Sequence, residues 1–192
     1  MLPPPNGTRR TILKPVDDAD IPMLHKVEIA WHMGYRLRSR GTHPSPEQFR
    51  SAFWNDTQAA FLVVERKSRT ACWLVTLYGA DLAQRRLFCS VVQFALVNRR
   101  GLAMEGAMAA VRYAFWTWPL ERVFFEAPGF NTVQFAKFAG STLRREGSIG
   151  NFWFMADRWW SHDFYSVDRA RAEALANGRF RRLLEPAGTG TV

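Results

Sequence analysis

Cysteine is scarce in this 192-residue chain: Cys72 and Cys89 are the two present, both inside apolar runs. Two cysteines cannot build the framework of a disulfide-stapled secreted domain, and their separation is not a metal-ligand spacing. Both are expected to be small buried hydrophobes, and no metal is expected. Lysine is also scarce. Of 26 basic residues only Lys14, Lys26, Lys67 and Lys137 are lysine, so the net charge of +9 rests on arginine. No apolar run approaches the roughly 20 residues that cross a bilayer, so no membrane segment is expected. Met1 to Arg10 carries three prolines and no apolar h-region, unlike a secretory leader, and a cytoplasmic address is the expectation.

What is present is an ordinary globular composition, 47% apolar and 22% charged, in a length suited to one domain. Eight tryptophans exceed what a small core needs, so some are expected to line a pocket or interface. A basic surface attracts nucleic acid or an anionic cofactor. No helix-turn-helix, finger or stacking-strand signature accompanies the basic tail of Arg169, Arg171, Arg179, Arg181 and Arg182, which leaves nucleic acid disfavoured as a partner.

Along the chain, residues 1–10 read as a flexible lead and Thr11-Ile12-Leu13 as a short strand. Ile21, Leu24, Val27 and Trp31 recur at helical spacing after a run of aspartates. Ser45-Pro46-Glu47-Gln48 has the form of a capping box with proline at the first helical position, followed by Phe49, Phe53 and Trp54. Strands are expected over 60–65, 71–78 and 87–97, the last apolar enough for burial on both faces. A helix over 103–118 stops at Pro119. A strand over 122–127, a short helix over 131–139, a hairpin over 143–167 and a basic helical tail from 168 complete the order. The expected class is mixed α/β (α+β): a mainly antiparallel twisted sheet flanked by helices.

One segment carries a chemical signal. A strand runs into Arg99-Arg100-Gly101-Leu102-Ala103 and then a helix, whose first N–H groups lack intrahelical partners and favour an anion. Gly101 lets the backbone approach a phosphate without a Cβ. Taken alone, the same segment also suits a plain strand-to-helix turn with solvated arginines.

Asn98-Arg99-Arg100-Gly101-Leu102-Ala103 resembles the Gln/Arg-x-x-Gly-x-Gly/Ala cofactor loop of the GNAT superfamily of acyl-CoA N-acyltransferases, with Asn98 departing at the first position. Glu105 keeps the helix-start register. Arg122 to Ala127, Asn131, Leu143 to Gly147 and Asp157 to Val167 resemble, in order, later stretches of the ribosomal-protein N-terminal alanine acetyltransferase branch. The resemblance covers about Thr11 to Arg169, leaving 170–192 as a basic C-terminal tail.

That resemblance implies a GNAT-like fold in which two central strands splay to admit the pantetheine arm of acetyl-CoA or another acyl-CoA. Leu96 and Val97 would hold the arm, and backbone from Arg99, Arg100, Gly101, Leu102, Ala103 and Met104 would hold the pyrophosphate. Asn131 and Phe138 would also face the cofactor. The acceptor, a primary amine, would enter beside Trp31, His32, Tyr35, Phe53 and Trp54. A homodimer is left open.

Amine attack on a thioester needs a base and an acid. Strand alternation puts Arg122, Phe124 and Glu126 on one face, making Glu126 the first base candidate, with His162, Asp163 and His32 as alternatives. The branch's usual serine and tyrosine acid positions hold Gln134 and Phe138 here, so Tyr165 or water is expected to reprotonate the thiolate. Gln93 can position a water. A catalytically weak acyl-CoA-binding or partner-binding module of the same fold is the alternative reading.

Overall fold

The computed structural model describes residues 6–30, 37, 39, 41–94, 101–131, 142–178 and 181. Its elements run β1 (Thr11–Pro15), α1 (Ile21–Glu28), α2 (Pro46–Trp54), β2 (Thr57–Glu65), β3 (Ala71–Asp81) and β4 (Arg86–Gln93). They continue with α3 (Leu102–Thr117), β5 (Arg122–Pro128), a 3-10 turn at Gly129–Asn131, β6 (Arg144–Met155), β7 (Arg158–Asp168) and α4 (Arg169–Asn177). The strands form one seven-stranded sheet in the order β1-β2-β3-β4-β5-β7-β6. Every neighbouring pair is antiparallel except β4 and β5.

Local chemistry accounts for the helix ends. At α2 the Ser45 side chain accepts from Gln48 N, and the Gln48 side chain accepts from Ser45 N at 2.8 Å, the reciprocal capping box. At α3, Gly101 stands at φ +88°, a left-handed conformation that costs other residues a Cβ clash. Pro119 follows the helix end at Trp118.

Strand parity divides the interior. Val75, Leu77, Leu87, Cys89, Val123, Phe125 and Val167 bury one face against α3 and α4, with Ala110, Val111 and Ala114 opposite. On the other face α1 and α2 pack Ile21, Leu24, Phe49 and Phe53 onto Ala60 and Leu62. Both cysteines are buried thiols, joined in no disulfide.

Three expectations change. Residues 6–10 are tied down rather than a flexible lead: Leu13 N donates to Asn6 O at 2.7 Å, Thr8 N to Thr11 O at 2.9 Å, and Thr8 is fully buried. The third strand of the meander is not buried on both faces throughout. Leu87 and Cys89 are buried, but Ser90 to Val92 are half-buried and Gln93 is exposed, because β4 loses its β5 neighbour midway. Of the helix expected over 131–139, only Asn131 is described, and it closes the 3-10 turn.

Candidate active site

The parting of β4 from β5 creates the site. Their parallel register covers Arg86↔Arg122, Leu87↔Val123 and Phe88↔Phe124 and goes no further. Beyond that point β4 stays paired with β3 up to Gln93, and β5 stays paired with β7 up to Pro128. The centre of the sheet therefore opens as a fork. At its closed end the rings of Tyr78, Phe88 and Phe124 form a ladder, with centroids 5.7 and 5.6 Å apart. One step past the fork on the same face stand Ser90 on β4 and Glu126 on β5.

Both line a cavity of about 740 Å³ under α1 and α2, within the size range of small-molecule sites. Its walls are mostly apolar, including Leu24, Phe49, Phe53, Leu74, Val92 and Phe94. Glu126 is one of its polar groups. Tyr78 Oη donates to Glu126 Oε1 at 2.8 Å, and His162 Nε2 lies 3.0 Å from Oε2. Trp153 Nε1 lies 2.6 Å from His162 Nδ1. An indole N–H only donates, so Nδ1 must be the accepting nitrogen, and the ring's proton sits on Nε2 facing the carboxylate. Three residues from three strands thus hold one carboxylate in place.

On the opposite face of the sheet α3 begins beside Arg10. The first intrahelical bond runs from Glu105 N to Gly101 O at 3.0 Å, so the N–H groups of Leu102, Ala103 and Met104 are directed out of the helix end. The side chains of Leu102 and Met104 turn inward, Leu102 into the core and Met104 against Met108. What this segment offers a ligand is backbone. Glu105 is almost fully buried and accepts from Thr8 Oγ1 at 2.8 Å and from Arg10 Nε at 2.7 Å, with Arg10 Nη2 also paired to it. A Cβ on Gly101 would meet Arg10 Nη2 at 3.2 Å, so the guanidinium stands against the glycine turn. The described end of the lead is therefore bolted to the first turn of the expected cofactor helix.

The residues singled out from sequence separate into three groups. Glu126 and His162 come together in the cavity, and Gly101, Leu102, Ala103 and Met104 form the helix start. Asn131 is half-buried, directly after β5. A second group faces elsewhere. Gln93 is exposed and, by parity, on the α3 side of β4, so it does not line the cavity with Glu126. Tyr165 is buried in the α3-side core opposite Phe125, one residue out of phase with His162. It is not among the described residues lining the cavity. Asp163 shares that phase and pairs with Arg145 at 2.9 Å. Cys89 lies in the same core, where burial pushes its thiol pKa up and keeps it neutral. Trp54 is half-exposed, packs edge-on to Phe53 and is outside this cavity, because it falls on the outer side of α2. The third group, Trp31, His32, Tyr35, Leu96, Val97, Arg99, Arg100, Gln134 and Phe138, lies outside the described residues.

Tyr78 and Trp153 were not singled out. Each looks like one aromatic among many on an alternating strand, and only the pairing of β3, β5, β6 and β7 shows what they touch.

No protein-family model and no curated protein sequence matches the chain. Solved structures do. A spermidine N-acetyltransferase from Vibrio cholerae in complex with CoA and spermine superposes with a TM-score of 0.72 at 13% identity, over 85% of this chain and 98% of that one. A GNAT-family acetyltransferase from Bacillus anthracis gives 0.66 at 17% identity, over 84% and 96%. The spermidine/spermine N-acetyltransferase from Vibrio cholerae in complex with manganese ions gives 0.68 at 13% identity, over 88% and 97%. The mixed, mainly antiparallel seven-stranded sheet flanked by helices is the GNAT acetyltransferase fold.

Proposed function

We propose that the protein transfers an acetyl or other acyl group from acyl-CoA to a primary amine by direct attack. The observation that carries this is the fork between β4 and β5, with a hydrogen-bonded carboxylate two residues past the last pair on the cavity face. In this reading the pantetheine arm lies in the fork, the pyrophosphate meets the N–H groups opening α3, and the amine comes from the cavity.

An amine arrives as an ammonium. Glu126 takes a proton from it and frees the nitrogen lone pair, which attacks the thioester carbonyl. The C–S bond breaks, the thiolate leaves and takes up a proton, and the second N–H proton passes to solvent. Tyr78 and His162 hold the carboxylate by neutral donors, which keeps it aimed without cancelling its charge. Tyr78 is also a hydroxyl on the cavity side, donating to Glu126.

The ordered likeness to the ribosomal-protein N-terminal alanine acetyltransferases keeps protein N-termini among the candidate amines, and the polyamine bound by the Vibrio neighbour keeps small amines there too. A weak or non-catalytic acyl-CoA-binding module is the second reading, favoured by Tyr165 turning away from the cavity. Thiol release on a broad amine panel separates the two. We expect turnover that falls by about 10²–10⁴-fold in Glu126→Gln with acetyl-CoA binding kept. Tight CoA binding without thiol release from any amine would establish the second reading instead.

A further inference from the structure

We propose that Glu28 seats a second positive charge on the acceptor, so that the preferred substrate is an amine carrying two cationic groups separated by an apolar spacer. This rests on the acyl-transfer reading of the same cavity and narrows it. Glu28 is the last residue of α1, is 7% exposed, and lines the cavity that contains Glu126. Ser39 N donates to its Oε1 at 2.6 Å. Among the described residues that one neutral backbone donor is its partner, short of full compensation for a buried carboxylate, since a charge removed from water needs an opposite charge or several hydrogen bonds.

No lysine or arginine is among the described residues lining the cavity, in a chain with 26 of them. The donors holding Glu126 are neutral as well: a phenol, and an imidazole whose Nδ1 is occupied as acceptor. The chamber thus carries two carboxylates and no protein cation among the described lining residues. The rest of the described wall is mostly apolar, with Phe49 and Phe53 from α2, Leu74 from β3, and Val92 and Phe94 on or just beyond β4. A ligand fitting that pattern is apolar in the middle and positive at both ends. One end gives up its proton to Glu126 and is acylated. The other remains an ammonium against Glu28. A monoamine leaves Glu28 unmatched, and an acceptor bearing a carboxylate is repelled at that end.

Glu28 also fastens the segment around Ser39. Glu28→Gln keeps an oxygen acceptor for Ser39 N–H while deleting the charge, so it separates the two roles. The experiment measures acetyl transfer to a series of α,ω-diaminoalkanes of increasing length, the matched 1-aminoalkanes and the matched ω-amino acids, on wild type and Glu28→Gln. Wild type is expected to favour the best diamine over its matched monoamine by roughly tenfold or more in kcat/KM, the size of one partly desolvated charge pair. Glu28→Gln should erase that preference through KM, with kcat for the monoamine and the melting temperature retained. Equal use of diamine and monoamine by wild type, or of ω-amino acid and diamine, overturns the anchor without needing any variant. So does a preference that survives in folded Glu28→Gln. Should no amine turn over, calorimetric titration of the same amines onto the CoA-loaded protein reads the anchor directly, and absence of diamine-selective binding overturns it. Failure to bind acetyl-CoA at all overturns the acyl-transfer reading itself.

Discussion

Trp153 donates its indole N–H to Nδ1 of His162 at 2.6 Å, and that bond decides which ring nitrogen faces Glu126. With Nδ1 accepting, the Nε2 proton points at the carboxylate, and the imidazole acts as a fixed neutral donor. Phe152 and Phe164 flank the ring at 4.8 and 4.6 Å between centroids and leave it little room to turn. Nitrogen-15 spectra at neutral pH should therefore show His162 as a single Nε2–H tautomer, with a slowly exchanging Trp153 indole proton that becomes fast in His162→Ala. An Nδ1–H tautomer, or rapid averaging of the two, would contradict the arrangement.

Gly101 links the cofactor helix to the lead. Its φ of +88° is strained for any side chain, and a methyl there would press on Arg10 Nη2 at 3.2 Å. Gly101→Ala should cost about 1 kcal/mol of stability from the backbone alone. It should weaken acetyl-CoA binding by more than that loss implies, because the methyl also stands where the backbone must approach phosphate. Unchanged CoA affinity in a folded Gly101→Ala or Gly101→Trp protein would remove the pyrophosphate assignment. Thermal melting and calorimetric CoA titration on the same samples separate the two effects.

Much of the frame was legible because its signals are local. Ser45, Pro46 and Gln48 cap α2 as their spacing implies, and Pro119 stops α3. Alternation along β5 correctly put Glu126 on the same face as Phe124. The site was less legible because it depends on which face becomes cavity and which becomes core. Gln93 and Tyr165 have suitable chemistry but the wrong parity, and parity gains meaning only when β5 is paired with β7 and capped by α3. Tyr78 reaches Glu126 across 48 residues of sequence, a contact that needs the whole sheet order. Glu28 was missed for a related reason. A charged residue ending an amphipathic helix looks like its solvent face until the segment containing Ser39 covers it.

Asp163 is the buried acid on the core side of β7. Burial works to raise its carboxyl pKa, but hydrogen bonds from Ser148, Arg145 and Ser161 outweigh it and leave the pKa below the ordinary carboxylate value. A depressed folded-state pKa stabilises the fold above the unfolded-state pKa, near 3.9 for an aspartate, and that contribution is lost as pH falls through the folded value. Asp163→Asn should thus cost on the order of 1–3 kcal/mol at pH 7. Wild type and variant should converge as the solution is acidified below about pH 4. Denaturant melts across that range supply the measurement, and a gap that stays constant with pH would show that charge is not what Asp163 contributes.

Gly106 tests how α3 is seated, and through it how the helix start is aimed. The residue is buried mid-helix, and a Cβ there would lie 2.5 Å from Val63 Cγ2 and 2.8 Å from Cγ1 on β2. Alanine is the better helix former by about 1 kcal/mol, so propensity alone makes Gly106→Ala stabilising. Overpacking opposes it at about 1–3 kcal/mol, and at this separation the valine cannot yield without moving the strand or the helix. The net expectation is destabilisation, with α3 lifted from the sheet and CoA binding weakened although Gly106 is not at the helix start. Val63→Ala should relieve the clash, making the double variant more stable than the sum of the two single changes. Strict additivity in that double-mutant cycle would mean that Gly106 and Val63 do not press on each other and that the close seat of α3 is not what glycine provides here.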